Sequence, residues 1–118
     1  MQPQEVEVWY ILPMIRRNLA KELLNLGLKK SEIAKKLGIT KAAVSHYVYD
    51  KRGDSARIKG FKKEIKRSAK NIIEGYCVTR EIQKLCMLIR KKGLLCKVHK
   101  NYDSNIRGNC NFCQKISW

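Results

Sequence analysis

Two prolines and seven glycines in 118 residues leave few places for tight reversals, which disfavours a chain of many short strands and points to helices. No apolar run reaches the roughly 18 residues that a membrane span requires, so no membrane association is expected. Acids are scarce too. The 10 Asp and Glu are scattered, and the two histidines have no evident nucleophile partner, so no catalytic constellation emerges and an enzyme is not expected. The stretch "EVEVWYILPMI" places acids where a secretory leader would carry a basic region and then an apolar one, so a cytoplasmic protein is expected. Cysteine is missing from the first 76 residues, while five cysteines follow. In a reducing cytoplasm such a group reads as metal ligands or redox chemistry before it reads as a disulfide framework, hyperthermophile interiors being the exception.

What the chain does have is positive charge. Its 26 Lys and Arg give a net charge of +16, and both halves share the excess: 12 basic against 6 acidic residues in 1–60, and 14 against 4 in 61–118. A field of that sign attracts polyanions, and nucleic acid is the expected partner.

Apolar periodicity predicts a helix from about Pro13 to Gly27, with Ile15, Leu19, Leu23 and Leu26 as its stripe. "EVEVWY" before it alternates as a strand does, yet also suits an extension of the helix. Ser31 is placed to N-cap "EIAKKL", and Thr40 to N-cap "KAAVSHYVY". After the charged loop "DKRGDSARIKG", a fourth helix is predicted over 61–76 with Phe61, Ile65, Ala69, Ile72, Ile73 and Tyr76 on its apolar side and Lys62, Lys63, Lys66, Arg67 and Lys70 opposite. A fifth over 79–92 offers Ile82, Leu85, Cys86 and Ile89, and the remainder reads as an irregular cysteine-bearing tail.

"KSEIAKKLGITKAAVSHYVYDKR" has the spacing of two short helices crossing steeply. Ala34 lets the backbones approach, Gly38 takes the left-handed turn, and Ile33, Leu37, Ile39, Val44 and Tyr47 fill the inward positions. Together with "LAKELLNLGLKK" it resembles the helix-turn-helix regulators of the Cro and lambda-repressor type, the XRE family. The resemblance covers about residues 14 to 53. It implies that Thr40 to Tyr49 lie in the DNA major groove, and that the protein is a dimeric transcription regulator. Independently, a helix that buries Val44 and Tyr47 turns Lys41, Ala42, Ser45, His46 and Tyr49 outward, a set suited to base edges. Ser31 and Thr40 at helix starts, with Lys51 and Arg52 past the second helix, suit phosphates.

Cys110 and Cys113 enclose two residues, a spacing that lets both sulfurs reach one metal. With Cys86 and Cys96 they make a four-thiolate set for an iron–sulfur cluster, expected to be of the 4Fe–4S type; with Cys96 and His99 they make a Cys3His zinc site. Lys91, Lys92, Lys97, Lys100 and Arg107 are expected to favour thiolates. Cys77, after "IIEGY", reads as a small core residue, and Cys86 suits a core position as well as ligation. The tail "LIRKKGLLCKVH...CNFC" is similar to that of a group of small archaeal XRE-type regulators, which implies a cluster. The expectation is therefore an all-α protein: a helix-turn-helix domain over 1–56, and a helical dimerisation and cysteine-rich sensing region over 57–118. Its expected function is as a homodimeric regulator of double-stranded DNA, a repressor, responsive to an iron–sulfur cluster. A nucleic-acid-binding module with a structural zinc is the alternative. A thiol oxidoreductase fits less well, because no βαβ pattern precedes the Cys-Asn-Phe-Cys segment.

Overall fold

The computed structural model describes residues 1–49, 59–106, 108 and 110–115; the expected phosphate contacts Lys51 and Arg52 lie outside the described residues. Within them the structure is helical, and no strand occurs among the described residues.

The chain starts helically at Pro3, earlier than the sequence pattern predicts. α1 (Pro3–Val6), a π turn (Glu7–Ile11) and α2 (Leu12–Asn25) follow without a break, since the junction residues Glu7, Ile11 and Leu12 all have right-handed helical backbone. Pro3 occupies the first turn, where its missing N–H costs nothing, and the Glu5 carboxylate accepts the Gln2 N–H at 2.8 Å. The alternation of "EVEVWY" is therefore helical, and the π turn explains the disguise. Val6 and Ile11 are both fully buried although five residues apart, a step that would carry an α-helix well off its stripe; the wider turn takes up the extra residue. Val8 and Trp9 are left on the outside, 59% and 66% exposed. The same turn precedes Pro13, whose ring could not fit a regular α-helical interior.

Met14, Ile15, Leu19, Ala20 and Leu23 continue the buried stripe. It stops there, one turn short of the predicted Leu26, which is exposed because Gly27 (φ +100°) ends the helix and Leu28 folds back, its N–H bonding the Leu23 carbonyl at 3.1 Å. α3 (Lys30–Leu37) begins two residues before the predicted cap Ser31 would allow. Lys29 holds the capping position, and its N–H is accepted by Glu32 at 3.2 Å; Ser31 is an exposed residue of the first turn. Gly38 at φ +67° turns the chain, and α4 (Lys41–Tyr49) starts with the Thr40 hydroxyl accepting the Ala43 N–H at 3.0 Å, as the sequence predicts.

A 3-10 turn (Lys59–Phe61) leads into α5 (Lys62–Ile73), which buries Phe61, Ile65, Ala69 and Ile72 and exposes all five of its predicted cations. Ile73 and Tyr76 are exposed instead of apolar-facing, because the helix ends at Glu74 and Gly75 (φ +101°) before the stripe can return. α6 (Val78–Lys91) buries Ile82, Leu85, Cys86 and Ile89 as predicted and also Glu81, which accepts from Asn71 of α5 at 2.9 Å and from Lys84 at 3.2 Å. The tail is not irregular. After Gly93 (φ +83°) it forms α7 (Leu94–Tyr102), burying Leu94, Leu95, Cys96, Val98 and His99, and then a short α8 (Phe112–Lys115). The apolar spacing of one, three and one residues repeats within a single helical face, masked in sequence by a glycine that both ends one helix and opens the next.

One hydrophobic core runs from Val6 to Cys113, crossing the boundary expected near residue 56. α2 lies at its centre, packed against α3, α4, α5 and α6, while α7 packs on α1. The ends of the chain meet there. The Met1 ammonium pairs with Asp103 at 2.8 Å, and Tyr10 stacks on Tyr102 at 3.9 Å between ring centroids. Deeper in, Glu7 and Arg90 form a two-bond fork, Nε–Oε2 at 2.9 Å and Nη2–Oε1 at 3.0 Å, with both side chains largely buried. Removing one partner leaves the other charge without compensation, so Arg90→Met lowers stability by about 3 kcal/mol, whereas Glu7→Leu combined with Arg90→Met recovers most of the loss. Denaturant midpoints of the three variants check this, and a double variant weaker than either single one contradicts it.

Candidate nucleic-acid interface and thiol cluster

α4 divides sharply by face. Val44 is fully buried and Ile39, Tyr47 and Val48 pack partly on the core, while Thr40, Lys41, Ala42, His46 and Tyr49 are exposed and Ser45 is half-buried. The division follows from the helix period: a buried position at 44 with partial burial at 47 and 48 puts 41, 42, 45, 46 and 49 on the other side. The sequence-predicted outward set is thereby brought onto one surface. Ser31 shares the exposed side of α3 but comes from a different helix.

Two contacts on this surface were not predicted. Lys30, in the first turn of α3, donates its Nζ to the Tyr49 hydroxyl at 3.0 Å and sits 4.4 Å from the ring centroid, tying the start of α3 to the end of α4. Arg17 of α2 lies 5.6 Å over the Tyr47 ring and supports the same helix from behind. The only sequence signal for either was a cation beside an aromatic that folding brings near. Lys30 opens the quoted motif and Arg17 lies before it, and neither has an assigned role there.

Cys77 stands apart from the other thiols, and Cys113 lies with Cys96 and Cys110. Cys77 is exposed at the N-cap of α6, not in the core, because Gly75 turns the chain outward just before it. Cys86, Cys96 and Cys113 are buried and Cys110 is half-buried. Cys113 lies within electrostatic reach of Cys96, Cys110 and Glu7, and hydrogen-bonds Cys96. Cys86 faces Glu7, Arg90 and Arg16 on the helix against which α8 packs. Among the described residues no three His, Cys, Asp or Glu side chains converge closely enough to hold one ion.

The expected thiolate bias is reversed. Burial first, then the neighbouring Cys96 and Cys110, push the Cys113 thiol up to about 11; burial first, then Glu7, push Cys86 up to about 11, partly offset by Arg90 and Arg16. Lys91, Lys92 and Lys97 are exposed and add nothing to those shifts, so desolvation wins. The donor set itself is soft sulfur, which suits a thiolate-bound metal whose own charge would reverse the balance. His99 Nε2 lies 2.8 Å from the Met1 carbonyl oxygen and 3.7 Å from Asp103, which ties that nitrogen to the amino terminus and leaves Nδ1 as the one a metal would use.

No protein-family profile matches the chain, and no curated protein or solved structure matches it either. No helix among the described residues is long and apolar enough to cross a membrane.

Thiol chemistry checks this arrangement. At pH 8 in metal-free protein Cys77 should alkylate fastest, and Cys77→Ser should abolish that fast phase. A shift from 9.0 to about 11 leaves Cys86 and Cys113 roughly 100-fold less thiolate than an unshifted thiol, before steric protection is counted. The unfolded chain holds fewer protons than the folded one between about pH 9 and 11, so the metal-free fold should weaken as pH rises through that window. Alkaline titration followed by circular dichroism measures it, and a flat profile over that range contradicts the burial of the two thiols.

Proposed function

We propose that this chain is a sequence-specific DNA-binding transcription regulator of the XRE type, a cytoplasmic homodimeric repressor whose DNA binding depends on an iron–sulfur cluster held by Cys86, Cys96, Cys110 and Cys113. The observation that carries the DNA reading is the face of α4. Lys41, Ala42, Ser45, His46 and Tyr49 are turned outward together, on the second of two short helices joined at a left-handed Gly38, in a chain of net charge +16. Such a helix presents donors, a hydroxyl, a methyl and a ring to base edges in the major groove. Lys30, hydrogen-bonded to Tyr49, and the exposed Ser31 flank it and would be available for backbone phosphates.

The metal reading rests on Cys113 lying with Cys96 and Cys110, three soft donors, with Cys86 on the neighbouring α6 as the fourth ligand a centre there would draw in. Cys86 comes from α6, Cys96 from α7, Cys110 from the segment before α8 and Cys113 from α8 itself; these four thiols are the proposed ligands, and the Cys3His zinc set, which His99 would complete through Nδ1, is the alternative. A bound iron–sulfur cluster would supply one-electron redox chemistry and sensitivity to oxidants. The chain's own part is mechanical. Cys86 belongs to α6, which packs on α2, and α2 carries α4, so ligation at the thiols bears on the helix that reads DNA.

Replacing Lys41 and Ser45 by Ala should reduce discrimination among DNA sites by about 10- to 100-fold, since each good base contact contributes about 1–3 kcal/mol. Replacing Lys51 or Arg52 by Gln should weaken all sequences alike and lower the salt slope by about 1 per phosphate contact. Site selection from random duplexes measures the first effect, and an unchanged site preference in the Lys41/Ser45 variant rejects the assignment. Protein purified without oxygen should contain iron and sulfide and absorb at roughly 300–500 nm, where zinc–thiolate sites are colourless in the visible. A colourless protein with stoichiometric zinc turns the tail into a structural staple.

A further inference from the structure

Away from the outward face of α4, a cavity of about 290 Å3 opens where the end of α3 meets the first half of α2 and the first turn of α6. Arg16, Lys35 and Lys36 line it, and no carboxylate does among the described residues. A second source of positive potential comes from α6 itself. Val78 and Thr79, its first two residues, form part of the wall. The Glu81 N–H is the first to bond within the helix, to the Cys77 carbonyl at 3.1 Å, and the Cys77 side chain caps none of the preceding N–H groups. In a 14-residue helix those donors carry the positive end of the dipole. The third observation is independent of both. Arg16, which lines the cavity, has a buried Nε with no hydrogen-bond partner among the described residues, a donor open to an acceptor.

Leu12, Leu37, Val78 and Ile82 give the rest of the wall an apolar part. A naked inorganic ion would use only the cationic side; an organic residue attached to the anion would use the rest. From this combination we infer that the cavity is a binding site for a small organic phosphate, its phosphoryl oxygens taken by Arg16, Lys35, Lys36 and the amides of Val78 and Thr79, and its organic part laid on Leu12 and Ile82. The ligand would clamp α6 to the end of α3. Arg16 is also one of the cations within reach of Cys86, so the occupied site and the sulfur group share a side chain. The same phosphate chemistry could come from a DNA backbone. The apolar wall favours the free molecule, since a backbone phosphate leaves it uncovered.

The test needs no DNA activity, so it stands or falls apart from the regulator reading. Phenyl phosphate and inorganic phosphate are titrated into the full-length protein, with the amide resonances of Val78, Thr79 and Arg80 followed by NMR. Saturable one-to-one binding is expected, with phenyl phosphate tighter than inorganic phosphate and the three amides shifting together. Arg16→Met should weaken binding about tenfold, the loss of one charge-assisted contact. Gln83→Glu, an exposed wall residue whose replacement leaves the core untouched, should weaken it similarly by placing a negative charge in the cavity. Lys62→Gln with Lys63→Gln on α5, remote from the cavity, should change nothing. The inference is overturned if the amides do not shift at millimolar phenyl phosphate, if the α5 variant loses binding as much as the cavity variants do, or if a DNA duplex displaces phenyl phosphate from the site.

Discussion

The buried Glu7–Arg90 fork constrains everything around the sulfur group. Its two residues are 83 apart in sequence and each is taken largely out of water, so neither is tolerable without the other. Glu7 opens the π turn of the amino-terminal rod, and Arg90 stands in the last turn of α6. Their pairing therefore fixes the register of the first helix against the helix that carries Cys86. Glu7 is also within electrostatic reach of both Cys86 and Cys113. An ion pair of this kind is a poor source of net stability, because desolvation consumes most of the Coulomb gain, but it penalises heavily any arrangement that separates the two elements. Its value is specification: the rod, α6 and the thiols have one mutual arrangement in which both charges are satisfied.

Much of the helical frame was legible because single-residue chemistry and periodicity agreed. Gly27, Gly38 and Gly93 all adopt positive φ where the sequence asks for a stop or turn, Thr40 caps α4, and the stripes of α2, α5 and α6 bury their central members. The failures have definite physical causes. The π turn hides the helix at residues 3–11, since one additional residue per turn makes a helical stripe resemble alternation. α7 escaped because its buried face includes Cys96 and His99, which count as polar until their burial is known. Ser31 lost the capping position to a reciprocal bond from Glu32, a signal already present three residues after Lys29. At the candidate site, the outward set on α4 followed from periodicity, whereas Lys30 and Arg17 required knowledge of which helices meet. The protonation of the thiols was misjudged for a related reason: neighbouring lysines in sequence are exposed in space, and burial decides the outcome.

α2 is the element through which the two ends of the molecule communicate, if they do so by packing. It touches α3 and α4 on one side and α5 and α6 on the other, with Ile15, Leu19 and Leu23 fully buried along its length. A close-packed interior of this kind does not deform gradually; it passes movement on as rigid shifts or not at all. Packing contiguity alone supplies no switch, since a ligand moves an equilibrium only by binding two arrangements unequally. In the proposed reading the inequality would lie at the sulfurs. With Cys86 and Cys113 held neutral by burial, the metal-free arrangement is the one that tolerates uncharged thiols in an apolar setting, and a thiolate-bound metal centre demands another charge state of the same residues.

That difference in charge state sets the direction of the coupling. A metal centre of the kind proposed would have to release the protons on Cys86 and Cys113, whose thiols burial has pushed up, so affinity for it would rise with pH up to those values. The negative charge created on ligation then sits beside Glu7, which disfavours it, and beside Arg90 and Arg16, which favour it. Arg90 is already committed to Glu7 through two hydrogen bonds, and its positive charge is largely spent there. Arg16, on α2, has a buried Nε without a hydrogen-bond partner among the described residues, lies within electrostatic reach of Cys86 and lines the cavity at the end of α3. A side chain in that position responds to the charge on either side of it: drawn toward the thiolates, it withdraws a cation from the cavity at the end of α3; held by an anion in that cavity, it offers less to the sulfurs. If both proposals hold, ligation at the tail and anion binding beside α3 would be antagonistic, with Arg16 as the shared term, and by linkage each would weaken the other by the same factor.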